Sequence, residues 1–599
     1  MSIDDIENGG VFTMNELCTV WGEHIDCDHV LEEYPRPQME RENYRILNGY
    51  WDYAYGKTIP AGAWDGKILV PFSPETKLSG VGRQTLPGEV LWYRRNLHIS
   101  IEEYRQQGRL LLHFGAVDQR CEVYVNKNLV ATHIGGYLPF SCDITGVVSI
   151  GDNELAVRVE DDSDHAYHAR GKQKLKRGGM FYTATSGIWQ TVWTEWVPKK
   201  YIERLWVTPD VDEKKLEIQF FVHDEQLTSE QIRVRIYDPK TNALLLETEG
   251  SDVDLSELPE LLLWTPDTPW LYPLEIQLTT DAGIDLVKSY FALRTFTLEH
   301  CNGESFPRIC LNHKPIYQRG VLDQGYWPES LLTPPSDEAM VFDLQEMKKT
   351  GYNMVRKHIK IEPDRWYYHC DRLGLMVWQD MVNGGDMLHQ WFVTYIATPL
   401  SYFRVPLKDR HPYLLSRTKE AGKEEFRREL TETIHLLRNH PCICTWVIFN
   451  EGWGQFETKE MTELVRKLDA TRLIDQASGW FDQRGGDLAS VHNYFFKLRT
   501  RPEKQRAYVL SEVGGRTCNI PEHSQVEKTY GYSKSESREH LNEEYDKLQA
   551  GMDALIPRGL CASVYTQWTD IEDEINGVYT FDRKVRKIGE KTYGENGTV

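Results

Sequence analysis

Two glutamates stand where apolar runs of the sequence stop. Glu451 ends the run in CTWVIFNEGWGQF (444–456), and Glu512 ends the run in YVLSEVGG (508–515). If the two side chains converge, one protonated carboxyl and one ionised carboxylate would face a common space, as cleavage of a glycosidic bond requires. A separation near ~5 Å would predict retention through a covalent intermediate, and two nearby negative charges raise the pKa of one group. The alternative is that each glutamate caps its strand in a salt bridge.

Arg356 and Tyr494 are placed to act on the second glutamate. Arg356, in NMVRKHI, would hold Glu512 ionised through charge-assisted hydrogen bonds. Tyr494, in SVHNYF, would donate a hydrogen bond to the same carboxylate. The alternatives are a structural ion pair for the arginine and a core position for the tyrosine.

His492 and Trp568 also stand near the ends of predicted strands. His492 would contact either Glu451 or a ligand, with a satisfied core histidine as the alternative. Trp568, in YTQWTD, would offer an indole face for stacking on the apolar face of a pyranose. The chain has 18 tryptophans, so packing is the default role for any one of them.

The residues after about position 300 alternate between strand-like and helix-like segments. Apolar residues recur at helical spacing between the strands, as at Met340, Leu344 and Met347. Eight strands are predicted, at 315–323, 353–359, 375–381, 443–451, 472–478, 488–495, 507–514 and 561–568. This alternation predicts a (β/α)8 barrel, in which the C-terminal strand ends share one mouth. The segment 382–422 is then predicted to be a loop over that mouth.

Two β-rich regions precede the predicted barrel. Residues 43–198 contain alternating apolar and polar segments such as NELAVRVEDDSD, which favour an antiparallel sandwich. Short strands over 199–298 are spaced as in an immunoglobulin-like sandwich. We therefore predict a jelly-roll domain at 1–198, an immunoglobulin-like domain at 199–298 and the barrel at 299–599.

The charge balance argues against a nucleic-acid partner. There are 69 basic and 90 acidic residues, and the net charge of −21 repels a phosphate backbone. No sequence window approaches the ~18 uninterrupted apolar residues of a membrane helix, so we expect no membrane contact. The start MSIDDIENGGVFTMNE lacks a basic region and an apolar stretch, which favours a cytoplasmic protein over a secreted one.

Cysteine usage favours reduced thiols. The 11 cysteines show no C-x-x-C spacing, so a disulfide framework or zinc site is the less favoured interpretation. The expected chemistry needs no metal or organic cofactor. A carbohydrate is the expected substrate, and homo-oligomerisation stays open.

The motifs together resemble glycoside hydrolase family 2, which includes β-galactosidases, β-glucuronidases and β-mannosidases. In the barrel region the resemblance lies in VRKH, NE and SEVGG; elsewhere it lies in GYWDY, ILVPFSPETKLSGVG, VLWYRRNLHI, TSGIWQTVWTEW, LDQGYW and DRLGLMVWQD. It covers about residues 43–590. The resemblance implies a sugar-binding jelly roll, an immunoglobulin-like sandwich and a barrel.

The resemblance also implies roles for individual residues. Glu451 matches the acid/base and Glu512 the nucleophile of a retaining double displacement. Asn450 matches an asparagine that binds the sugar 2-hydroxyl. Asp161, in VRVEDDSD, resembles an aspartate that the N-terminal domain places in the pocket, and His358 takes the place of a histidine after the strand-two arginine.

Departures from the family pattern bear on the sugar. RKHIKIEP replaces the common Ser-His-Tyr-Pro run. Where glucuronidases of the family carry an Asn-x-Lys element that grips the sugar carboxylate, EDEINGVYTFDR offers Glu574 and Asn576. Because an acid would repel a uronate, the sequence favours an exo-acting enzyme on a neutral sugar, with β-galactoside as the first expectation.

Three alternatives stay open at this point. The enzyme could act on carboxylated sugars through Lys357, Lys360 or Arg404, or on a pentose glycoside. A third alternative is a carbohydrate-binding protein with the same fold and no turnover. The presence of both Glu451 and Glu512 argues against that third alternative, since a binding module needs neither as a pair.

Overall fold

The protein was analysed as a computed structural model that describes residues 17–105, 108–223, 231–402, 405, 407–526 and 528–589. Two β-sandwiches come first along the chain and a barrel follows, which confirms the predicted fold class. No helix in the described part of the chain is long and apolar enough to cross a membrane. The 11 cysteines are free thiols.

The first sandwich has a four-stranded sheet facing a six-stranded one. The sheet orders are β1-β14-β5-β9 and β3-β2-β4-β10-β7-β8, with strands β1 (Tyr44–Ile46), β2 (Gly49–Tyr55), β3 (Gly66–Val70), β4 (Leu91–Ile99), β5 (Arg109–Phe114), β6 (Val117–Asp118), β7 (Arg120–Val125), β8 (Asn128–Ile134), β9 (Phe140–Asp143), β10 (Gly151–Glu160), β11 (Gln173–Lys174), β12 (Tyr182–Thr183), β13 (Gly187–Ile188) and β14 (Val192–Val197). Alternating residues turn inward, so that Leu155, Val157 and Val159 of β10 join the buried core. Two one-turn helices, α1 (Val20–Glu23) and α2 (Ile101–Tyr104), lie outside these sheets.

The second sandwich packs a three-stranded sheet on a four-stranded one. The orders are β15-β16-β19 and β18-β17-β20-β21, with strands β15 (Ile202–Asp210), β16 (Lys215–Val222), β17 (Ile232–Tyr237), β18 (Leu244–Glu249), β19 (Asp252–Asp254), β20 (Tyr272–Thr280) and β21 (Gly283–Phe291). Its core contains Ile218, Val234 and Ile276, one from each of three strands.

A small sheet connects this sandwich to the barrel. It has the order β22-β23-β24 and contains β22 (Phe296–Glu299), β23 (Arg308–Leu311) and β24 (Lys314–Pro315). The sheet lies on both sides of the predicted boundary at 298/299. The three predicted domain ranges stay predictions.

The barrel is an eight-stranded parallel sheet in the order β29-β28-β27-β26-β25-β34-β31-β30. Its strands match the eight predicted ones at narrower bounds: β25 (Gln318–Asp323), β26 (Met354–Lys357), β27 (Met376–Asp380), β28 (Ile443–Val447), β29 (Leu473–Asp475), β30 (Leu488–Asn493), β31 (Ala507–Gly514) and, after the short pair β32 (Arg516–Thr517) and β33 (Ser533–Lys534), β34 (Leu560–Thr566). The strands are covered on both faces, which explains their continuous apolar runs.

Helices cover the outside of the barrel. They are α3 (Asp337–Lys349), α4 (Asp364–Leu373), α6 (Glu420–Leu437), α7 (Thr458–Leu468) and α8 (Arg538–Asp553), while α5 (Ala397–Tyr402) belongs to the segment that follows β27. Ser336 caps α3 by accepting from the Ala339 backbone, and Gly374 ends α4 in a left-handed conformation, φ 73°. The segment 382–422 is not wholly a loop, because it contains a helical turn at Trp391–Ile396 followed by α5.

One buried arginine joins the two sandwiches. Arg41 donates from Nε and Nη2 to the Asp285 carboxylate on β21, at 2.8 Å in both cases. It also donates from Nη1 to Glu195 on β14 at 3.2 Å and from Nη2 to the Ile202 carbonyl at 2.8 Å. Both carboxylates are buried. Glu195 also pairs with Arg36 at 2.8 Å, whereas Asp285 has Arg41 as its cation, so the Asp285 carboxylate is the one that depends on Arg41 for compensation.

We expect Arg41→Met to destabilise the protein by about 3–5 kcal/mol, because it leaves the buried Asp285 carboxylate without its cation. The measurement is the midpoint of urea unfolding, followed by tryptophan fluorescence. Arg45→Met is the matched control: Arg45 is 38% exposed in its ion pair with Glu103, and its loss should cost no more than about 1 kcal/mol. Equal shifts in both variants would contradict the assigned role.

Candidate active site

The C-terminal ends of the barrel strands bring the two predicted glutamates to one mouth. Glu512 lies within β31, whereas β28 ends at Val447, short of Asn450 and Glu451, which the sequence analysis placed on the strand itself. The chain turns there: Glu451 has φ 51°, and the following Gly452 has φ 76°. A left-handed glutamate is uncommon, and the Glu451 amide is fixed by a 2.9 Å hydrogen bond to the Ser478 carbonyl.

The two carboxylates lie close together. One oxygen of Glu451, one oxygen of Glu512 and one ring nitrogen of His492 all lie within 4.8 Å of one another. Glu451 is 7% exposed and Glu512 4% exposed. The pair therefore shares a small and nearly water-free space.

Arg356 connects this pair to the barrel wall. Its Nη1 donates to Glu512 Oε1 at 3.0 Å and to the Ser511 carbonyl at 3.1 Å. Its Nε and Nη2 hold both oxygens of Asp380 at 2.9 Å, and Nη2 also donates to Asn450 Oδ1 at 2.9 Å. The guanidinium has no exposed surface, so these acceptors replace its hydration.

The surroundings of Glu512 keep it ionised. Burial raises its pKa, but its neighbours His492 and Arg356, with smaller contributions from His358 and Lys172, lower the pKa to about 2. Tyr494 donates a hydrogen bond to Glu512 Oε2. Hydrogen bonds and a fixed cation both favour the charged form of a carboxyl.

His492 lies between the two carboxylates. Its Nδ1 is 2.8 Å from Glu451 Oε1, and its Nε2 is 2.9 Å from Ser478 Oγ and 3.4 Å from Glu512 Oε1. A methyl group on Gly479, which has φ 90°, would lie 2.8 Å from the imidazole. The ring is therefore held by its polar partners and by a close backbone.

Asp380 is a site residue that the sequence analysis missed. It ends β27, chelates Arg356 and holds His358 Nδ1 at 2.7 Å through Oδ2. Burial lowers the pKa of His358 well below its ordinary value. The signal was present, since Asp380 ends a predicted strand as Glu451 and Glu512 do.

Glu451, Glu512 and His492 are also the one group in the described residues with the spacing of a metal site. Arg356 donates directly to Glu512, which places a permanent positive charge where a metal ion would bind. Repulsion between the two cations disfavours metal binding there.

Three models of one family match the chain. The sugar binding domain of glycosyl hydrolases family 2 matches residues 83–194, the central family 2 model matches 200–294, and the TIM barrel domain matches 306–534. The chain belongs to glycoside hydrolase family 2. The family predicted from the sequence motifs is thus confirmed.

Curated relatives of different names share this family. The chain is 25% identical over 452 residues to a β-galactosidase of Thermoanaerobacter pseudethanolicus, covering 71% of this chain and 54% of that one. It is 24% identical over 437 residues to a β-glucuronidase of Streptococcus agalactiae, covering 70% and 68%. The chain spans about half the length of the first curated relatives it matches.

Solved structures share the fold over nearly the whole chain. A β-D-glucuronidase of Dictyoglomus thermophilum has a TM-score of 0.71 at 19% identity, covering 93% of this chain and 100% of that one. A family 2 β-galacturonidase of Eisenbergiella tayi has a TM-score of 0.66 at 18% identity, covering 92% and 96%. These likenesses show the three-domain architecture of the family.

The structure brings Asn450 and Asn576 into the site in different ways. Asn450 accepts from Arg356, and no described residue accepts from its Nδ2, which leaves that donor for a ligand. Asn576 is buried; it accepts from Gln567 Nε2 at 2.8 Å and donates to Glu574 Oε1 at 3.1 Å. Its side chain orders the loop after β34.

Trp568 and Asp161 form no hydrogen bond or ion pair with the carboxylate pair among the described residues, and their predicted roles stay predictions. The Trp568 indole is buried against Tyr579, with ring centroids 5.1 Å apart. Asp161 accepts from the Ser163 backbone at 2.6 Å, and burial raises its pKa to about 6. The charged groups that influence this pKa, Asp162, His168 and Arg120, also belong to the N-terminal part of the chain.

The predicted lysine contacts for a carboxylated sugar are internal ion pairs. Lys357 Nζ lies 2.6 Å from Asp323 and 2.7 Å from Glu362. Lys360 Nζ lies 2.9 Å from Glu362 and donates to two backbone carbonyls. Arg404 lies outside the described residues.

Other residues at the mouth had no sequence signal. Tyr532 stacks on Tyr494 with centroids 3.6 Å apart and rings 6° from parallel. Tyr182, from the first sandwich, donates to Glu574 Oε2 at 2.5 Å and accepts from Gln324 at 2.7 Å. These contacts join segments far apart in sequence, which periodicity does not reveal.

Proposed function

We propose that the protein is a retaining exo-β-glycosidase. The observation that carries the proposal is the carboxylate pair, whose nearest oxygens lie within 4.8 Å at the mouth of the barrel. Retaining enzymes hold their two carboxyl groups about 5 Å apart, whereas inverting enzymes leave room for a water molecule between carboxylate and sugar. Membership of glycoside hydrolase family 2 supports the same reaction class.

In the first step Glu512 would attack the anomeric carbon while Glu451 protonates the leaving oxygen. The attack requires that Glu512 be ionised, and the hydrogen bond that Arg356 donates to it at 3.0 Å favours the ionised form. As the covalent bond forms, the glycosidic bond breaks and the proton of Glu451 passes to the departing alcohol. Tyr494 would stabilise Glu512 when it leaves again.

In the second step the roles reverse. Glu451, now ionised, would remove a proton from water, and the resulting hydroxide would displace Glu512 from the sugar. His492 holds Glu451 at 2.8 Å and so keeps this carboxylate oriented through both steps. The 2-hydroxyl role that the family resemblance implies for Asn450 is supported by its Oδ1, which accepts from Arg356 and so leaves Nδ2 as the group that would donate to the sugar.

The glycone is the finer part of the proposal. The sequence favoured a neutral sugar, with β-galactoside first and a uronic acid or pentose glycoside as alternatives. Relatives named β-galactosidase support the first, while relatives named β-glucuronidase support the uronic acid alternative. A panel of p-nitrophenyl glycosides separates these: β-galactoside, β-glucoside, β-mannoside, β-glucuronide, β-galacturonide, β-xyloside and α-L-arabinopyranoside.

We expect Glu512→Gln to lower kcat on the best panel substrate by on the order of 10⁴-fold or more, because a nucleophile is lost. Glu536→Gln, at an exposed position, is the matched control and should retain full activity. A 2-fluoro glycosyl donor should label wild-type Glu512, detected by mass spectrometry of peptides. Wild-type turnover without labelling, or activity retained in Glu512→Gln, would contradict the nucleophile assignment.

The carboxylate spacing predicts that the first product formed is the β-anomer. Proton NMR of the early reaction mixture distinguishes the β-anomer from the α-anomer before mutarotation equalises them. An α-anomer as first product would show single displacement and would contradict the retaining mechanism.

The pH profile should depend on Arg356. Glu512 must be ionised to attack, so activity is lost as the pH falls through its pKa, which in the wild type is about 2. Removing a neighbouring opposite charge raises a carboxyl pKa by about 1–3 units. The acid limb of kcat/KM should therefore move to higher pH in Arg356→Met, and Arg356→Lys should restore it in part. If the acid limb of kcat/KM stays at the wild-type pH in both variants, while the 2-fluoro donor still labels Glu512, Arg356 does not control the ionisation of Glu512.

A further inference from the structure

A lysine from the first sandwich reaches the barrel mouth. Lys172 precedes β11, and its carbonyl accepts from the Tyr182 backbone at 3.0 Å. The preceding Gly171 has φ 61°, and a methyl group there would lie 3.0 Å from the Ile359 carbonyl, next to His358. This close approach of two backbones fixes Lys172 beside the end of β26.

The same loop is tied to the barrel on its other side. The backbone amides of Arg170 and Gly171 donate to the Asn383 carbonyl at 3.0 and 3.1 Å. Ala169 forms a β-bridge with Gly384. Lys172 is therefore presented by a segment held between the ends of β26 and β27, and its position does not depend on side-chain packing alone.

Lys172 is buried without an ion pair. The residue is 9% exposed, and its Nζ lies 5.8 Å from the centre of the Tyr182 ring. Among the residues that the structure describes, none forms a hydrogen bond or an ion pair with this nitrogen. By contrast Arg356, Lys357 and Lys360 are each bonded to carboxylates.

The positive charge of Lys172 nevertheless affects two groups of the candidate active site, Glu512 and His358. Burial is the main influence on the pKa of both Glu512 and His358, and the positive charge of Lys172 lowers both. Glu512 is not its partner, because the oxygens of Glu512 are bonded to Arg356 and Tyr494. An ammonium group in a mostly buried side chain with no counter-ion is free to pair with an anion that enters the mouth, so we expect a bound anion to be its partner.

We propose that Lys172 binds the carboxylate of the sugar, and that the substrate is a β-glycoside of a hexuronic acid. The proposal rests on the proposed glycosidase function and assigns its specificity to a residue of the first sandwich. An ammonium group is a compact donor that pairs with a single carboxylate. Lys172 would take the role that the sequence analysis considered for Lys357 and Lys360, whose ammonium groups are already paired with carboxylates of the protein.

The sequence indicated that Glu574 would repel a uronate, but its carboxylate is hydrogen-bonded within the protein. Its carboxylate accepts from Tyr182 Oη at 2.5 Å and from Asn576 Nδ2 at 3.1 Å. Tyr182 presents its ring to Lys172 and its hydroxyl to Glu574, so the tyrosine lies between the acid and the cation. The bound uronate would lie on the Lys172 side of this ring.

The test compares matched pairs of p-nitrophenyl substrates: β-glucuronide with β-glucoside, and β-galacturonide with β-galactoside. The wild type should prefer the acid in one pair. Lys172→Met should lower the ratio of kcat/KM for that uronide to kcat/KM for its neutral partner about 10–100-fold, as the loss of a charged hydrogen bond to the sugar carboxylate does. Lys172→Arg should recover part of the uronide activity.

The control variant is Lys176→Met, which removes one exposed positive charge four positions along the same segment. It should not change the ratio of uronide to neutral activity. If Lys172→Met does not fold, the wild type alone decides, because free uronate should inhibit at lower concentration than the corresponding neutral sugar. Equal inhibition by the two would overturn the proposal.

The outcomes separate this proposal from the glycosidase function. If the wild type prefers a neutral glycoside, or if Lys172→Met lowers both members of a pair equally, the uronate role is wrong and the glycosidase remains. If no panel member is hydrolysed and no 2-fluoro donor labels Glu512, the glycosidase function itself fails. Failure of free uronate to bind wild-type protein in calorimetry would then overturn the uronate role as well.

Discussion

The site depends on one buried guanidinium. Arg356 has no exposed surface and joins Asp380, Glu512 and Asn450, which come from three other strand ends of the barrel. Removing such a cation leaves buried carboxylates uncompensated, and keeping it without them would be equally unfavourable. The cation and its acceptors therefore depend on one another, and the guanidinium favours the charged form of Glu512, to which we assign the nucleophile role.

The barrel supplies alignment, and the first sandwich completes the pocket wall. Parallel strands deliver their C-terminal ends to one mouth, so Glu451 and Glu512 meet although they are far apart in sequence. The loop around Gly171 then docks on the barrel through backbone contacts and carries Lys172 and Tyr182 to the same space. A barrel without the sandwich would keep the carboxylate pair and lose the groups that we assign to recognition.

The sequence predicts the features of the fold and of the site that depend on local residue patterns. Apolar runs located all eight barrel strands, and the strand-end rule located Glu451, Glu512, Arg356, His492 and Tyr494, which the structure joins in one hydrogen-bonded group. It did not locate Tyr532 or Lys172, because their positions follow from packing between distant segments. The sequence also did not reveal that the Trp568 indole packs on Tyr579, and its predicted stacking on a sugar stays a prediction.

The net charge of −21 and an anionic substrate are compatible. That charge disfavours a polyanion, which must contact a large area of negative surface, but at physiological ionic strength charges are screened within about 8 Å. A single carboxylate entering the mouth therefore responds to the groups lining it. There the acids are bonded to Arg356, Tyr494, His492, Tyr182 and Asn576. Among the described residues Arg356, Lys357 and Lys360 are paired with carboxylates, whereas Lys172 forms no ion pair. Local pairing, and not the overall charge, decides which sugar the pocket favours.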